Sequence, residues 1–177
     1  MKRQILLIVL ALTVLSFLGA KGMVAQTDCN RIVEDNAGVF GSNAAQVENA
    51  ANALSNVGAD VRVRTFRTLG SYPTIVHLEQ SLEQSCPSWQ TPSGVRKNNL
   101  VVVLIAVNEH KTGMYFGSQW MHALEPQSTR VQTALMNPAF KRGDFAGGFT
   151  SGLEEVRRLI DADIHPVAGA VQPAVVV

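Results

Sequence analysis

This sequence predicts an α/β fold: a three-layer α/β/α domain with a small mixed sheet, a parallel βαβ unit plus a hairpin strand, and about four helices. Three observations carry that expectation. Leu100 to Ala106 is an unbroken apolar run, mostly β-branched, which reads as a strand buried on both faces. A polar turn follows, with Asn108, Glu109, His110, Lys111 and Gly113 leading into a second strand from Met114 to Gly117. Upstream, Ala59 to Phe66 has strand character and is separated from the central run by an amphipathic stretch. That spacing is a strand, helix, strand crossover, so the two strands are expected to be parallel and the connection right-handed.

The elements follow in order. Lys2 and Arg3, a mostly apolar run from Ile5 to Leu18, then Gly19 and Ala20 have the layout of a secretory signal peptide over residues 1 to 25. The run is shorter than the roughly 20 residues a spanning helix needs. Cleavage after Ala25 is the first choice and after Ala20 the alternative. The sequence IVEDNAGVF, Ile32 to Phe40, reads as an ordered loop. A helix begins near Ser42, with Val47, Ala50, Leu54 and Val57 on one side and Gly58 just past its end. In the strand Ala59 to Phe66, Val61 and Val63 alternate with Arg62 and Arg64. One face is therefore expected to be wet and the strand to lie toward an edge.

Tyr72 and Pro73 open a second helix whose buried side is Ile75, Leu78, Leu82 and Cys86. A third, Glu125 to Met136, is expected to stop at Asn137 and Pro138, because the residue before proline avoids helical angles. A fourth runs from about Asp144 to Ile160. Gly147, Gly148 and Gly152 in its first half suit close approach of another backbone, with anion binding at the helix start as the alternative. The domain thus covers residues 26–162, and residues 163–177 read as a flexible tail without period.

Composition limits function. Loss of the leader removes Lys2, Arg3 and Lys21, leaving twelve basic against fourteen acidic residues, a net charge of −2. The arginines are scattered, so no stripe suited to a nucleic-acid backbone is present. Cys29 and Cys86, the only cysteines, most simply form a disulfide in an oxidising compartment; two free buried thiols are the alternative. Catalytic signatures are mostly missing: GFTSG places Ser151 one position late for a nucleophile elbow, and Glu109-His110 lacks a second histidine at metal-ligand spacing. Instead, oxygen donors punctuate the loops. Asp35, Asn98, Asn99 and Glu125 would suit Ca²⁺ if their loops converge at one end of the sheet; otherwise Asp35 and Asn98 cap backbone and Glu125 is solvated.

Several segments, in this order, resemble a TPM domain: IVEDNAGVF, the stretch from His77 to Trp89, KNNLVVVLIA, MYFGSQWMHAL and NPAFKRGDFAGGFTSGLEEV. The resemblance spans Ile32 to about Ile160. It implies a three-layer α/β domain outside the cytoplasm, periplasmic, extracellular or attached to an outer membrane face. It also implies calcium binding in some members, acid phosphatase activity in plant members, and photosystem repair or receptor modulation in others. By position, Asp35, Asn98, Asn99 and Glu125 would be the metal residues. Leu100 stands where the family has glycine, and Glu125-Pro126 where it has aspartate. The expected role is an exported module that binds a protein partner in the envelope or at the membrane surface, with Ca²⁺ as the one cofactor. A weak metal-dependent phosphomonoesterase is the alternative. Neither nucleic acid nor a transmembrane helix in the mature chain is expected.

Overall fold

A central strand, β3 (Leu100–Ala106), is buried along its whole length in the computed structural model, which describes residues 27–166. Parallel to it lies β2 (Asp60–Phe66), and antiparallel on its other side β4 (Lys111–Phe116). The fourth strand, β1 (Val33–Asp35), pairs in parallel with β2, so the order is β1-β2-β3-β4. The expected loop over Ile32 to Phe40 therefore contains a strand. Three residues are too short to show a period in sequence, and only pairing with Val63 to Thr65 makes them one.

Helices cover both faces. On one side α1 (Ala44–Ser55) and the long C-terminal helix pack against Val61, Val63, Val101, Val103 and Ile105. On the other, α2 (Ile75–Ser85) packs with Trp89 against Phe66, Leu100, Val102 and Leu104. Both crossovers, β1-α1-β2 and β2-α2-β3, step the same way across the sheet, yet their helices lie on opposite faces. Two connections of the same hand would put both helices on one face, so one of the pair winds left, against the usual preference. The expected parallel pairing holds, but the hand rule does not hold for both units.

Arg62 and Arg64 overturn the expectation of a wet face and an edge position. β2 is an inner strand, and these residues are 7% and 0% exposed. A segment preceding β1 closes over them. Arg64 donates to the carbonyls of Asp28, Arg31, Ile32 and Val63, and its guanidinium lies 5.4 Å over the Trp89 ring. Its Nε sits 3.1 Å from Glu34 Oε2, an ion pair too bent to be a hydrogen bond. Burial lowers its pKa to about 10, so it stays charged at neutral pH. The Cys29–Cys86 disulfide ties this segment to the end of α2, with Cα atoms 5.3 Å apart.

After β4 come the short α3 (Met121–Leu124) and then a helix, α4, over residues 128–141. The centre of α4, Val131–Met136, is a π-helix, and the helix runs through Pro138 to Lys141 instead of stopping at Asn137. Proline lacks an N–H and crowds the carbonyl four residues back; a widened turn there removes the clash. The last helix, α5 (Phe145–Ile164), starts at an Asp144 cap and extends four residues past the expected Ile160. Two of its glycines serve close packing, since a Cβ at Gly148 would lie 2.5 Å from the Phe140 ring and one at Gly152 2.6 Å from Met136 Cγ; Gly147 instead leaves room for the capping carboxylate of Asp144. No described helix is long and apolar enough to cross a membrane. The expected leader at residues 1–25 and most of the expected C-terminal tail lie outside the described residues.

Candidate functional site

Strand register decides which of the four oxygen-bearing candidates can meet. Asp35 ends β1 opposite Thr65, whereas Asn98 and Asn99 precede Leu100, which lies opposite Asp60. The two rows are five residues apart along β2, about 16 Å at roughly 3.3 Å per residue. Calcium ligands lie at about 2.3–2.6 Å from the ion, so Asp35 shares no ion with the asparagines. The expected convergence of all four at one end of the sheet therefore fails, for a topological reason. Asp35 ends a parallel strand and the two asparagines precede one.

Asn98 and Asn99 are occupied as latches at the amino edge. Asn98 Oδ1 accepts from Ser118 Oγ at 3.1 Å and its carbonyl from the Gln119 N–H at 3.0 Å. Asn99 Nδ2 donates to the Gly58 carbonyl, while its own carbonyl accepts from Trp120 Nε1, both at 2.9 Å. Gly117 permits this fit, since a Cβ there would fall 2.1 Å from the Lys97 carbonyl oxygen. Glu125 caps the end of α3 and is exposed.

Asp35 works differently. Its Oδ1 accepts from Thr65 Oγ1 at 2.5 Å and the Val39 N–H at 3.0 Å, and its Oδ2 from the Phe40 N–H at 2.8 Å. Thr65 Oγ1 in turn accepts from the Ala37 N–H at 3.0 Å. This pair folds residues 36–40 into a hooked loop at the carboxyl edge of the sheet, with Gly38 at φ 67°. Oδ1 is filled by its two donors, whereas Oδ2 accepts only one and keeps lone-pair capacity, so a cation approaching it from solvent is compatible with the latch.

The same edge holds residues that the sequence did not single out. Arg67, just past β2, donates to the Ala37 carbonyl at 2.6 Å. Thr68 donates to Glu109 Oε1 at 2.6 Å, and that hydrogen bond holds the Glu109 carboxyl below the usual carboxylate range. The β3-β4 turn docks here through the Asn108 N–H on the Arg67 carbonyl at 3.0 Å. Glu109 Oε2 and Asn36 Nδ2 are enclosed and have no hydrogen-bond partner. Unspent polar atoms of this kind are rare in folded proteins and need a reason. The loops leaving β1 and β2 run to helices on opposite faces, which opens the edge between them, the usual ligand position in open α/β sheets. Recognising β1 as a strand would have marked this edge from sequence; without it, Asn36 and Arg67 look like ordinary loop residues. Among the described residues no three His, Cys, Asp or Glu side chains gather as a metal cluster.

Comparison with known proteins agrees with this architecture. The family model of the TPM domain matches residues 33–159. Among solved structures, the N-terminal domain of a protein from P. gingivalis is 19% identical, with a TM-score of 0.59 over 77% of this chain and 86% of that one. The N-terminal domain of the cg2496 protein from Corynebacterium glutamicum is 17% identical, with a TM-score of 0.53 over 80% and 84%. The BA42 protein of the psychrophilic bacterium Bizionia argentinensis is 14% identical, with a TM-score of 0.50 over 67% and 80%. At such identities the likeness is one of fold. No curated protein matches in sequence. The family match runs from the first strand nearly to the end of the last helix, and the chain belongs to the TPM domain family.

Proposed function

We propose that this domain is a binding module acting outside the cytoplasm, and that it engages a protein partner through the carboxyl edge formed by the 36–40 loop, Arg67, Thr68 and Glu109. The single observation behind this reading is the pair of enclosed, unpartnered polar atoms at that edge, Asn36 Nδ2 and Glu109 Oε2. A partner strand or loop that displaces the 36–40 loop and the Glu109 turn supplies an acceptor to Asn36 and a donor to Glu109. Export is supported by the disulfide, which persists in oxidising compartments. Ca²⁺, where it enters, binds at Asp35 from the solvent side and stiffens the hooked loop. A photo-crosslinking residue at Thr68 should capture one dominant envelope protein, and Asn36→Ala should abolish that capture. Equal capture by both forms would dismiss this edge as the contact surface.

One observation favours a second reading, metal-dependent phosphomonoesterase activity: Arg67 puts a guanidinium beside the Asp35 loop, where it would meet a phosphate. Against it stand the three hydrogen bonds already made to Asp35, which tie that carboxylate to the fold. Turnover of an aryl phosphate with added divalent metal, lost in Asp35→Asn, would put catalysis first.

A further inference from the structure

On the α1/α5 face, where β3 ends, lies a partly enclosed cavity of about 90 Å³ that plays no part in the reading above. Its floor is apolar, made by Ile105, Val107, Phe140 and Phe145. Its polar side is Thr112 with Asn137, the hydroxyl donating to Asn137 Oδ1 at 2.8 Å, and at the mouth stand Lys141 and His110. We propose that this cavity binds a small organic anion, a carboxylate with a short alkyl chain, its tail on the phenylalanines and its head between Lys141 and His110.

Two unusual backbone features converge on this place. His110 is the one non-glycine residue with positive φ among the described residues, at 52°, in the left-handed region that few non-glycine residues occupy, histidine more readily than most. It sends Glu109 toward Thr68 on one side of the turn and leaves His110 on the cavity on the other. The π-helical stretch of α4 ends at Met136, immediately before Asn137, Phe140 and Lys141, and π segments gather at functional sites. Size sets the ligand. A dry cavity of about 150 Å³ takes benzene, so 90 Å³ with an open mouth suits a chain of about two to four carbons. Charge sets the head group: Lys141 is a cation at a rim backed by apolar surface, where its attraction for a carboxylate is screened less than in open water.

Amide NMR of the purified chain during titration with sodium propionate tests this, with propan-1-ol and sodium chloride in parallel. Saturable shifts are expected at Val107, His110, Thr112 and Lys141, with propanol at least tenfold weaker. Lys141→Met should weaken propionate about fivefold or more, and Val107→Phe, which fills the floor, should abolish saturation in a chain whose spectrum stays dispersed. Shifts that follow chloride equally, or that survive both substitutions, would overturn the site. Propanol binding as tightly as propionate would overturn its anion character. None of these outcomes depends on the crosslink at Thr68, so the two readings fail separately.

Discussion

Glu79 shows how one side chain sets a pH response. It is 1% exposed, held between Arg96, at 2.7 Å, and the β4 face carrying Tyr115. Burial pushes its pKa up to about 7, against the pull of Arg96. The folded value exceeds the unfolded one, so the folded state binds the extra proton. The stabilisation is complete below the unfolded pKa and is lost as pH rises through about 7. Unfolding in urea should therefore show greater stability at pH 5 than at pH 8, by about 1–3 kcal/mol, and Glu79→Gln should flatten that slope. Glu155, held down to about 2 mainly by Arg158 and also by Arg130, acts in the opposite sense but only in more acidic solution. Arg64 is a second residue-scale test. Arg64→Met strands Glu34 inside the protein and should cost about 3–5 kcal/mol, with Arg64→Met/Glu34→Gln recovering part of it. A null effect of the single change would mean that the N-terminal segment contributes nothing to the fold.

At the scale of elements, α4 and α5 belong together. Gly148 and Gly152 let α5 lie against Phe140 and Met136, so alanine there meets atoms already in place. Alanine normally favours a helix by about 1 kcal/mol over glycine. Gly148→Ala should nonetheless lose about 1–3 kcal/mol, because its Cβ faces the Phe140 ring at 2.5 Å and the Met136 carbonyl at 3.0 Å. Gly152→Ala should lose less, since the flexible Met136 side chain can turn aside. Calorimetry on the two variants ranks them directly, and a stabilised Gly148→Ala would refute the packing account. The glycine spacing pointed to this contact, whereas the partner helix was misread. A proline normally ends a helix, and only the π register carries α4 past Pro138.

Over the whole molecule, the disulfide closes a separation of 57 residues and fastens the segment whose carbonyls hold Arg64 and Trp89. The chain-entropy model gives about 4 kcal/mol for such a loop, so reductant should lower the urea midpoint, and Cys29→Ser/Cys86→Ser should match the reduced chain. A midpoint indifferent to reductant would show that the segment holds without its bridge. What was legible beforehand is mostly local: the apolar run of β3, the hairpin turn after it, and the amphipathic spacing of α1 and α2 declare themselves within short windows of residues, and the cysteine pair declares itself by number alone. What was not legible is relational. β1 exists only through its pairing with β2, and Arg62 and Arg64 are inside only because a disulfide-held segment folds over them. Asp35 and the two asparagines stand at opposite edges because strand direction separates them. Composition and period specify which residues must be covered; the direction and order of the strands decide what covers them, and which loops share an edge.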